Sequence, residues 1–165
     1  MKSLEKLIGN KILDLVNYSL VKIIKPDITI DRVTQLDGKE IEKIKQRYGI
    51  DGMILDVDNT LRKEMRNIPQ CNQEWIESLR GRIKIVILSN GIDGDIEKYF
   101  KEIGIDYISF AHKPLKKNFM KACEKMQLNP DRVLVVGNSL IGDIYGGRRN
   151  NMKPVLVKEV DDGER

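Results

Sequence analysis

The sequence of 165 residues has the size of one domain, and its 41% hydrophobic and 33% charged residues are typical of a soluble globular protein. The net charge of +4 favours anionic partners, but aromatic residues make up only 5% and the basic residues are dispersed, which argues against a nucleic-acid stacking surface. No apolar run approaches the length that spans a bilayer. Cys71 and Cys123 match no metal or redox spacing, so we interpret them as reduced cytosolic cysteines.

The first element that the sequence predicts is an amphipathic helix over residues 3–24. Apolar residues recur there at helical spacing, lysines lie mostly off the apolar stripe, and Pro26 ends the pattern. Two interpretations remain open: a helix packed on the domain, or a helix lying on an anionic membrane surface. We therefore assign residues 1–25 to an N-terminal helix and residues 26–165 to the main domain.

From residue 27 onwards, short apolar runs alternate with amphipathic segments. Residues 27–36 are predicted to be extended or irregular, and the polar residues 159–165 to be frayed. Asp37 is predicted to cap a helix that ends at Tyr48, and further helices are predicted over 70–80, 95–103, 115–126 and 141–149. Strands are predicted over 52–57, 83–88, 107–110, 133–136 and 155–157. This alternation predicts a doubly wound α/β fold with a parallel sheet and right-handed crossovers.

The stretch at residues 52–61 joins a buried strand to a polar turn. Two carboxylates, Asp56 and Asp58, end the apolar run, and Thr60 lies just beyond them. A carboxylate beside a buried strand needs a compensating partner, which a divalent cation would supply. The structural alternative is a turn of the kind that Asp and Asn favour at the end of a strand.

Polar side chains also follow the other predicted strands. A parallel sheet gathers the carboxyl ends of its strands at one edge, so residues far apart in the sequence should meet there. We expect this edge to collect the following residues: Asp56 and Asp58, Ser89 and Asn90, Lys113, and Asn138 with Asp143.

These residue types suit the hydrolysis of a phosphate ester. Asp56 can attack phosphorus and form an aspartyl-phosphate, while Asp58 can protonate the leaving alkoxide and then activate water. The Ser89 hydroxyl and nearby backbone N–H groups can hold phosphoryl oxygens, and Lys113 can neutralise the anion. Asp143 can help to hold magnesium, which prefers oxygen ligands.

The motifs resemble those of the haloacid dehalogenase (HAD) superfamily, which consists mostly of magnesium-dependent phosphatases. More narrowly, they resemble the YqeG family, a capless branch related to phosphatidylglycerophosphate phosphatases. The resemblance begins at residues 25–27 and continues through residues 56–61, 89–90, 111–114 and 146–149. It implies a three-layer, HAD-like, Rossmann-like phosphatase domain over residues 26–165, without a cap domain.

The resemblance also implies a role for each matched residue. Asp56 would be the nucleophile and Asp58 the acid/base, with Thr60 as structural support of the site. Phosphate would be bound by Ser89, Asn90 and Lys113. Mg²⁺ would be held by Asp56, Asp58, Asn138 and Asp143.

One position departs from the family pattern. The fourth motif usually begins Gly-Asp, whereas this sequence has Gly137-Asn138. An amide oxygen can still bind magnesium but carries no charge, so metal affinity and activity should fall. The alternative function is therefore a weakened or inactive HAD domain that serves as a binding module.

Several conspicuous residues have simpler interpretations. His112 is the sole histidine and lacks an orienting partner, so we interpret it as an exposed loop residue rather than a proton carrier. Trp75 is predicted to lie in the core. Arg62, Lys63 and Arg66 could recognise an anionic headgroup or form a solvated loop.

The spacing of the motifs limits the substrate. The segments from Asp56 to Ser89 and from Ser89 to Lys113 are too short to hold a cap domain. An open site favours a lipid headgroup at a membrane, a macromolecule, or a ligand enclosed by oligomerisation. We expect a phosphorylated substrate, and the resemblance suggests phosphatidylglycerophosphate. We also expect a cytoplasmic protein; whether it makes peripheral contact with the inner face of the membrane stays open.

Overall fold

The computed structural model describes Ser19 and residues 24–163. Their centre is a six-stranded sheet in which every strand pair is parallel, in the order β1-β6-β5-β2-β3-β4. The strands are β1 (Ile28–Ile30), β2 (Gly52–Leu55), β3 (Lys84–Leu88), β4 (Asp106–Ile108), β5 (Val133–Gly137) and β6 (Lys153–Val157).

Helices connect successive strands and run back along the two faces of the sheet. They are α1 (Gly38–Tyr48), α2 (Gln70–Leu79), α3 (Gly94–Glu102), α4 (Lys116–Met126) and α5 (Gly146–Arg149). Two 3₁₀ turns (Val33–Gln35 and Pro130–Arg132) and one π-helical turn (Leu140–Tyr145) complete the connections.

Local chemistry sets the ends of α1. The Asp37 carboxylate accepts hydrogen bonds from the backbone N–H groups of Lys39 and Glu40, both at 2.9 Å. At the other end Gly49 adopts a left-handed conformation (φ 68°), which a residue without a side chain reaches at little cost. The cap predicted from the sequence is therefore confirmed.

Alternate residues of the central strand face opposite layers. Met53 and Leu55 pack with residues of α1, α2 and α3, whereas Ile54 packs with residues of α4. All three side chains are buried, and each such burial stabilises the fold by about 1.5–3 kcal/mol. The predicted three-layer α/β architecture is confirmed.

The structure corrects three details of the predicted elements. Residues 28–30 form a regular edge strand beside β6, where the sequence indicated only an extended or irregular segment. The segment from 140 to 149 is a π-helical turn followed by a short helix rather than one continuous helix. The chain at 159–163 is not frayed: Val160 is buried, and Asp161 accepts a hydrogen bond from the Thr34 hydroxyl at 2.5 Å.

Other predictions concern the ends and the gaps of the domain. The N-terminal helix predicted over residues 3–24 lies almost entirely outside the described residues, so the boundary at residue 25 stays a prediction. Between Asp56 and Ser89 the chain forms only α2 and β3, and between Ser89 and Lys113 only α3 and β4, which confirms the absence of a cap in these segments. Within the described part of the chain, no helix has the length and apolar character needed to cross a bilayer.

Candidate active site

The first candidate residues lie where β2 ends. The backbone N–H of Asp56 donates to the carbonyl of Val136 at 3.0 Å, which continues the sheet pairing up to the carboxylate. The Thr60 hydroxyl returns through a tight turn and donates to Asp56 Oδ2 at 2.9 Å. Both residues are buried. The hydrogen bond from Thr60 therefore holds the Asp56 carboxylate in one orientation.

Lys113 joins two carboxylates that follow different strands of the sheet. Its Nζ lies 2.6 Å from Asp56 Oδ1 and 2.6 Å from Asp143 Oδ1, and the three side chains are 3%, 11% and 1% exposed. Burial and the charge of Asp143 raise the pKa of Asp56 above its ordinary value, against the hydrogen bonds from Lys113 and Thr60. Burial by itself would lower the pKa of Lys113, but the charges and hydrogen bonds of Asp143 and Asp56 outweigh this effect. The pKa of Lys113 is therefore raised above its ordinary value, and the amine stays charged.

The position of Asp143 depends on a glycine. Asp143 Oδ2 accepts a hydrogen bond from the Ser139 backbone N–H at 3.0 Å, which folds the side chain back over the end of β5. A Cβ atom placed on Gly137 would lie 2.1 Å from Asp143 Oδ2, a distance that no side chain can occupy. Gly137 is therefore required for the carboxylate to reach Lys113.

Asp58 contacts a buried arginine that the sequence interpretation placed in a charged loop. Arg62 Nε donates to Asp58 Oδ1 at 2.8 Å, and Arg62 Nη1 donates to Asp93 Oδ2 at 2.8 Å and to the Arg66 carbonyl at 3.0 Å. The Arg62 side chain is only 5% exposed. For Arg62 the solvated-loop and headgroup interpretations are wrong, because its guanidinium is buried and forms ion pairs with Asp58 and Asp93.

Arg62 also connects two loops of the site. Asp93 caps α3 by accepting from the backbone N–H groups of Asp95 and Ile96, at 3.1 Å and 3.2 Å. The Arg62 guanidinium holds the pKa of Asp93 below its usual range. The same side chain therefore fixes Asp58 relative to the loop after β3. The only available sequence signal was the i,i+4 spacing from Asp58, which does not distinguish a buried arginine from an exposed one.

The loop after β3 brings Ser89 and Asn90 to the site. Ser89 is buried, and its Oγ accepts from the Gly91 backbone N–H at 3.2 Å. A Cβ on Gly91 would lie 3.6 Å from Asp58 Oδ2 and 3.7 Å from Ser89 Oγ, so the two side chains flank this glycine. Asn90 Oδ1 accepts from the Lys113 backbone N–H at 2.8 Å, so this oxygen positions Lys113.

Asn138 is linked to the buried Asp56 carboxylate through the Thr60 hydroxyl. Its Oδ1 accepts from the Thr60 hydroxyl at 3.4 Å, and the same hydroxyl contacts Asp56. In the described residues no group of three or more His, Cys, Asp or Glu side chains could hold a metal ion. The available donor set is two carboxylates and one amide. These are hard oxygen ligands, and they fit magnesium chemistry with one charge fewer than three carboxylates would supply.

An open cleft of about 480 Å³ adjoins this donor set. It is lined by residues that follow β5 and by the last residues of β6 with the residue after it: Asn138, Ser139, Leu140, Ile141, Leu156, Val157 and Lys158. The cleft leads from Asn138 towards the surface beside Lys158. A substrate group larger than phosphate can therefore lie next to Asn138.

The simpler interpretations are mostly confirmed. His112 is exposed and stacks on Phe110 with ring centroids 6.0 Å apart. Trp75 is buried, and its indole N–H donates to the Leu36 carbonyl at 2.8 Å. Cys71 and Cys123 are free thiols.

Comparisons with known sequences show the family of the chain. A family model described as haloacid dehalogenase-like hydrolase matches residues 68–151. The Bacillus subtilis (strain 168) protein named "Probable phosphatase YqeG" is 33% identical over 143 residues, which are 86% of this chain and 81% of the relative. The Pyrococcus furiosus protein named "Glyceraldehyde 3-phosphate phosphatase" is 31% identical over 64 residues, 39% of this chain and 27% of the relative. The family match begins after Asp56 and Asp58, so their roles depend on motif and geometry.

Solved structures share the architecture. A HAD superfamily (subfamily III A) hydrolase from Legionella pneumophila has a TM-score of 0.56 and 16% identity, with 74% of each chain covered. An uncharacterized protein from Listeria monocytogenes serotype 4b has a TM-score of 0.53 and 20% identity, covering 65% of this chain and 78% of its own. At these identities the likeness establishes the fold alone.

Proposed function

The chain belongs to the haloacid dehalogenase-like hydrolases and is a phosphatase of that family, and from this premise we propose that it cleaves phosphate monoesters through a phosphorylated Asp56. The observation that carries the proposal is the fixed carboxylate at the end of β2. Asp56 accepts from Thr60 on one oxygen and from Lys113 on the other, next to Asp58 and Ser89 on the neighbouring loops. A nucleophile held in this way loses little freedom when it attacks.

The first half-reaction forms the covalent intermediate. A carboxylate oxygen of Asp56 attacks phosphorus, the bond from phosphorus to the ester oxygen breaks, and Asp58 donates a proton to the departing alcohol. In the second half-reaction Asp58 takes a proton from water, and the resulting hydroxide attacks phosphorus. The bond from phosphorus to Asp56 then breaks, which releases inorganic phosphate and restores both carboxyl groups.

The surrounding groups bind the phosphoryl oxygens. The Ser89 hydroxyl and the backbone N–H groups of the loop after β3 supply hydrogen bonds, and Lys113 supplies a positive charge. Asn90 acts by fixing the backbone of Lys113. A phosphate dianion is bound here by groups that are already ordered, so little reorganisation is needed during the reaction.

We propose that Mg²⁺ is the cofactor. Asp56, Asp143 and Asn138 would hold it, with Asp58 contributing through oxygens other than the Oδ1 that contacts Arg62. When bound, the ion would neutralise charge on the transferring phosphoryl group. Asn138 lowers the charge of this donor set, so we expect a weaker metal site than three carboxylates would form.

The proposed substrate is a phosphate monoester on a lipid headgroup, with phosphatidylglycerophosphate as the specific candidate. The uncapped segments after β2 and β3 and the open cleft beside Asn138 support a substrate that is too large to be enclosed. A small soluble phosphate would leave the site exposed to water throughout the reaction.

Phosphate release tests both levels of the proposal. We expect magnesium-dependent release from p-nitrophenyl phosphate, and faster release from phosphatidylglycerophosphate in mixed micelles than from glyceraldehyde 3-phosphate. The Asp56→Asn protein is the matched control, because it keeps the size of the side chain. Turnover of the soluble phosphates alone would reject the lipid substrate, and equal turnover by the Asp56→Asn protein would reject the mechanism.

A second candidate is a HAD domain that binds a partner without catalysis. The neutral Asn138 favours it, since this amide replaces the charge expected at the metal site. Binding of a phosphorylated ligand that survives Asp56→Asn, in a protein without phosphate release, would support this alternative.

A further inference from the structure

The exposed large hydrophobic side chains are concentrated at one edge of the molecule. In the described part of the chain there are six of them, and each follows the carboxyl end of a strand: Met65, Ile92, Phe110, Leu115, Ile141 and Tyr145. The loops at the opposite edge of the sheet carry none of these six. We call these residues the apolar rim, because the loops that carry them surround Asp56 and Lys113.

The rim is one connected structure. Arg62 and Asp93 join the loop after β2 to the loop after β3. The loop after β3 is joined to the next by the Phe110 backbone N–H, which donates to the Gly91 carbonyl at 3.5 Å. Lys113 and Asp143 join the loops after β4 and β5. The apolar side chains are therefore carried by a fixed ring of loops rather than by independent ones.

Backbone geometry helps to hold two of these side chains outward. Met65 is 84% exposed with φ 61°, and Phe110 is 53% exposed with φ 49°. A positive φ is costly for a bulky residue, and such strain is concentrated at functional positions in proteins. Burial of these side chains in the protein does not explain the strain, since both are in contact with solvent.

The exposed charges of the rim are mixed around Met65, which Glu64 and Arg66 flank, and positive beside Leu115. Lys116 and Lys117 follow Leu115 at the start of α4, and both are exposed and without an ion pair among the described residues. Apolar side chains flanked by lysines are the composition that binds an anionic lipid surface, where the apolar groups enter the interface and the lysines meet the headgroups. Two copies of the chain facing each other through this edge would bring these lysines together and cover both sites.

We propose that the apolar rim docks the protein on an anionic membrane, with the site facing the lipid headgroups. The inference rests on the proposed lipid substrate, because docking at this edge brings the site to a substrate whose phosphate group lies in the membrane surface. Docking then covers the uncapped site, and the membrane excludes the water that a cap would exclude.

Sedimentation with vesicles tests docking without turnover. The full chain is mixed with vesicles of phosphatidylglycerol and phosphatidylcholine, and with vesicles of phosphatidylcholine alone. The double variant Met65→Asn/Phe110→Asn removes two apolar side chains of the rim. Asparagine is chosen because it tolerates the positive φ of these two positions. We expect its partition coefficient on anionic vesicles to fall at least tenfold, with hydrolysis of p-nitrophenyl phosphate unchanged.

A matched pair of charge variants separates docking from general electrostatics. Lys116→Gln/Lys117→Gln removes two charges at the rim, and Lys98→Gln/Lys101→Gln removes two exposed charges on α3. The first should reduce binding to anionic vesicles several times more than the second. Because all variants keep residues 1–23, any contribution of that segment is common to them.

The outcomes distinguish the two proposals. No binding of the wild-type protein to anionic vesicles, or equal binding by all variants, would overturn docking at the rim. Dimerisation that Met65→Asn/Phe110→Asn abolishes, without vesicle binding, would overturn it in favour of a second copy. Vesicle binding through the rim without release of phosphate from phosphatidylglycerophosphate would retain docking and reject the proposed substrate.

Discussion

Replacement of Asn138 by aspartate tests where a cation binds. Asn138 Oδ1 contacts the Thr60 hydroxyl at 3.4 Å, and that hydroxyl contacts Asp56 Oδ2 at 2.9 Å. A carboxylate in this position would lie close to the Asp56 carboxylate. The two contacts place these oxygens at most about 6 Å apart, and charges at that separation repel by roughly 3 kcal/mol at an effective dielectric constant of about 20. Since Lys113 and partial solvent exposure offset part of this repulsion, we expect a net loss of about 1–2 kcal/mol without magnesium.

Magnesium should offset most of this loss. A third carboxylate attracts the cation, and a tenfold gain in affinity corresponds to about 1.4 kcal/mol. In magnesium-free buffer the Asn138→Asp protein should melt roughly 2–8 °C below the wild-type protein, on the scale of about 2–4 °C per kcal/mol for a chain of this size. Added magnesium should raise its Tm more than it raises the Tm of the wild-type protein.

The assay is a thermal melt across a magnesium titration, with initial rates on p-nitrophenyl phosphate measured in parallel. Asn151→Asp is the control, because it makes the same chemical change at an exposed position beyond α5. If Asn138→Asp shows the wild-type dependence of both Tm and rate on magnesium, Asn138 does not face the cation, and the fourth motif has been assigned wrongly.

Three further substitutions test the site. Asp56→Asn should lower kcat by at least roughly a thousandfold while Tm changes little, since it removes the nucleophile and keeps the fold; an active, folded variant would refute the mechanism. Lys113→Met should cost about 3–5 kcal/mol of unfolding free energy, because it leaves the Asp56 and Asp143 carboxylates buried and unpaired. The raised pKa of Asp56 makes protonation the available relief, so this loss should be larger at pH 8 than at pH 5 in chemical denaturation; a loss independent of pH would contradict the pairing. Arg62→Met removes the contact that positions Asp58, the residue proposed to protonate the leaving group. It should therefore slow the hydrolysis of alkyl phosphates more than that of p-nitrophenyl phosphate, whose leaving group needs no proton. Equal slowing of both substrates would indicate a purely structural role for Arg62.

The fold could be predicted because its signals are local. The signals for α1, from the Asp37 cap to Gly49, lie within one short stretch of sequence. The apolar runs of β2, β3 and β5 are likewise bounded by polar residues. The meeting of Asp56, Lys113 and Asp143 followed from topology alone, since parallel strands place their carboxyl ends at one edge. The structure brings these three residues together as expected.

The features that sequence did not predict depend on distant partners or on competing hydrogen bonds. β1 has only three residues, and its strand geometry depends on pairing with β6 at the other end of the domain. The π-helical turn has the apolar pattern of an ordinary helix. There the Ser139 carbonyl accepts from the backbone N–H groups of both Asp143 and Ile144, at 2.9 Å and 3.1 Å, while the Asp143 carboxylate folds back to the Ser139 N–H.

The charge balance around Lys113 gives Asn138 a consequence for substrate binding. Two carboxylates, Asp56 and Asp143, face one ammonium group, so the buried cluster carries one negative charge without a cation. A divalent ion would make it positive by one, which attracts a phosphate dianion, whereas a third carboxylate would make the loaded cluster neutral. Asn138→Asp should therefore tighten magnesium binding and raise KM for p-nitrophenyl phosphate at saturating magnesium. A variant in which both the magnesium affinity and the affinity for phosphate improve would show that this charge does not limit phosphate binding.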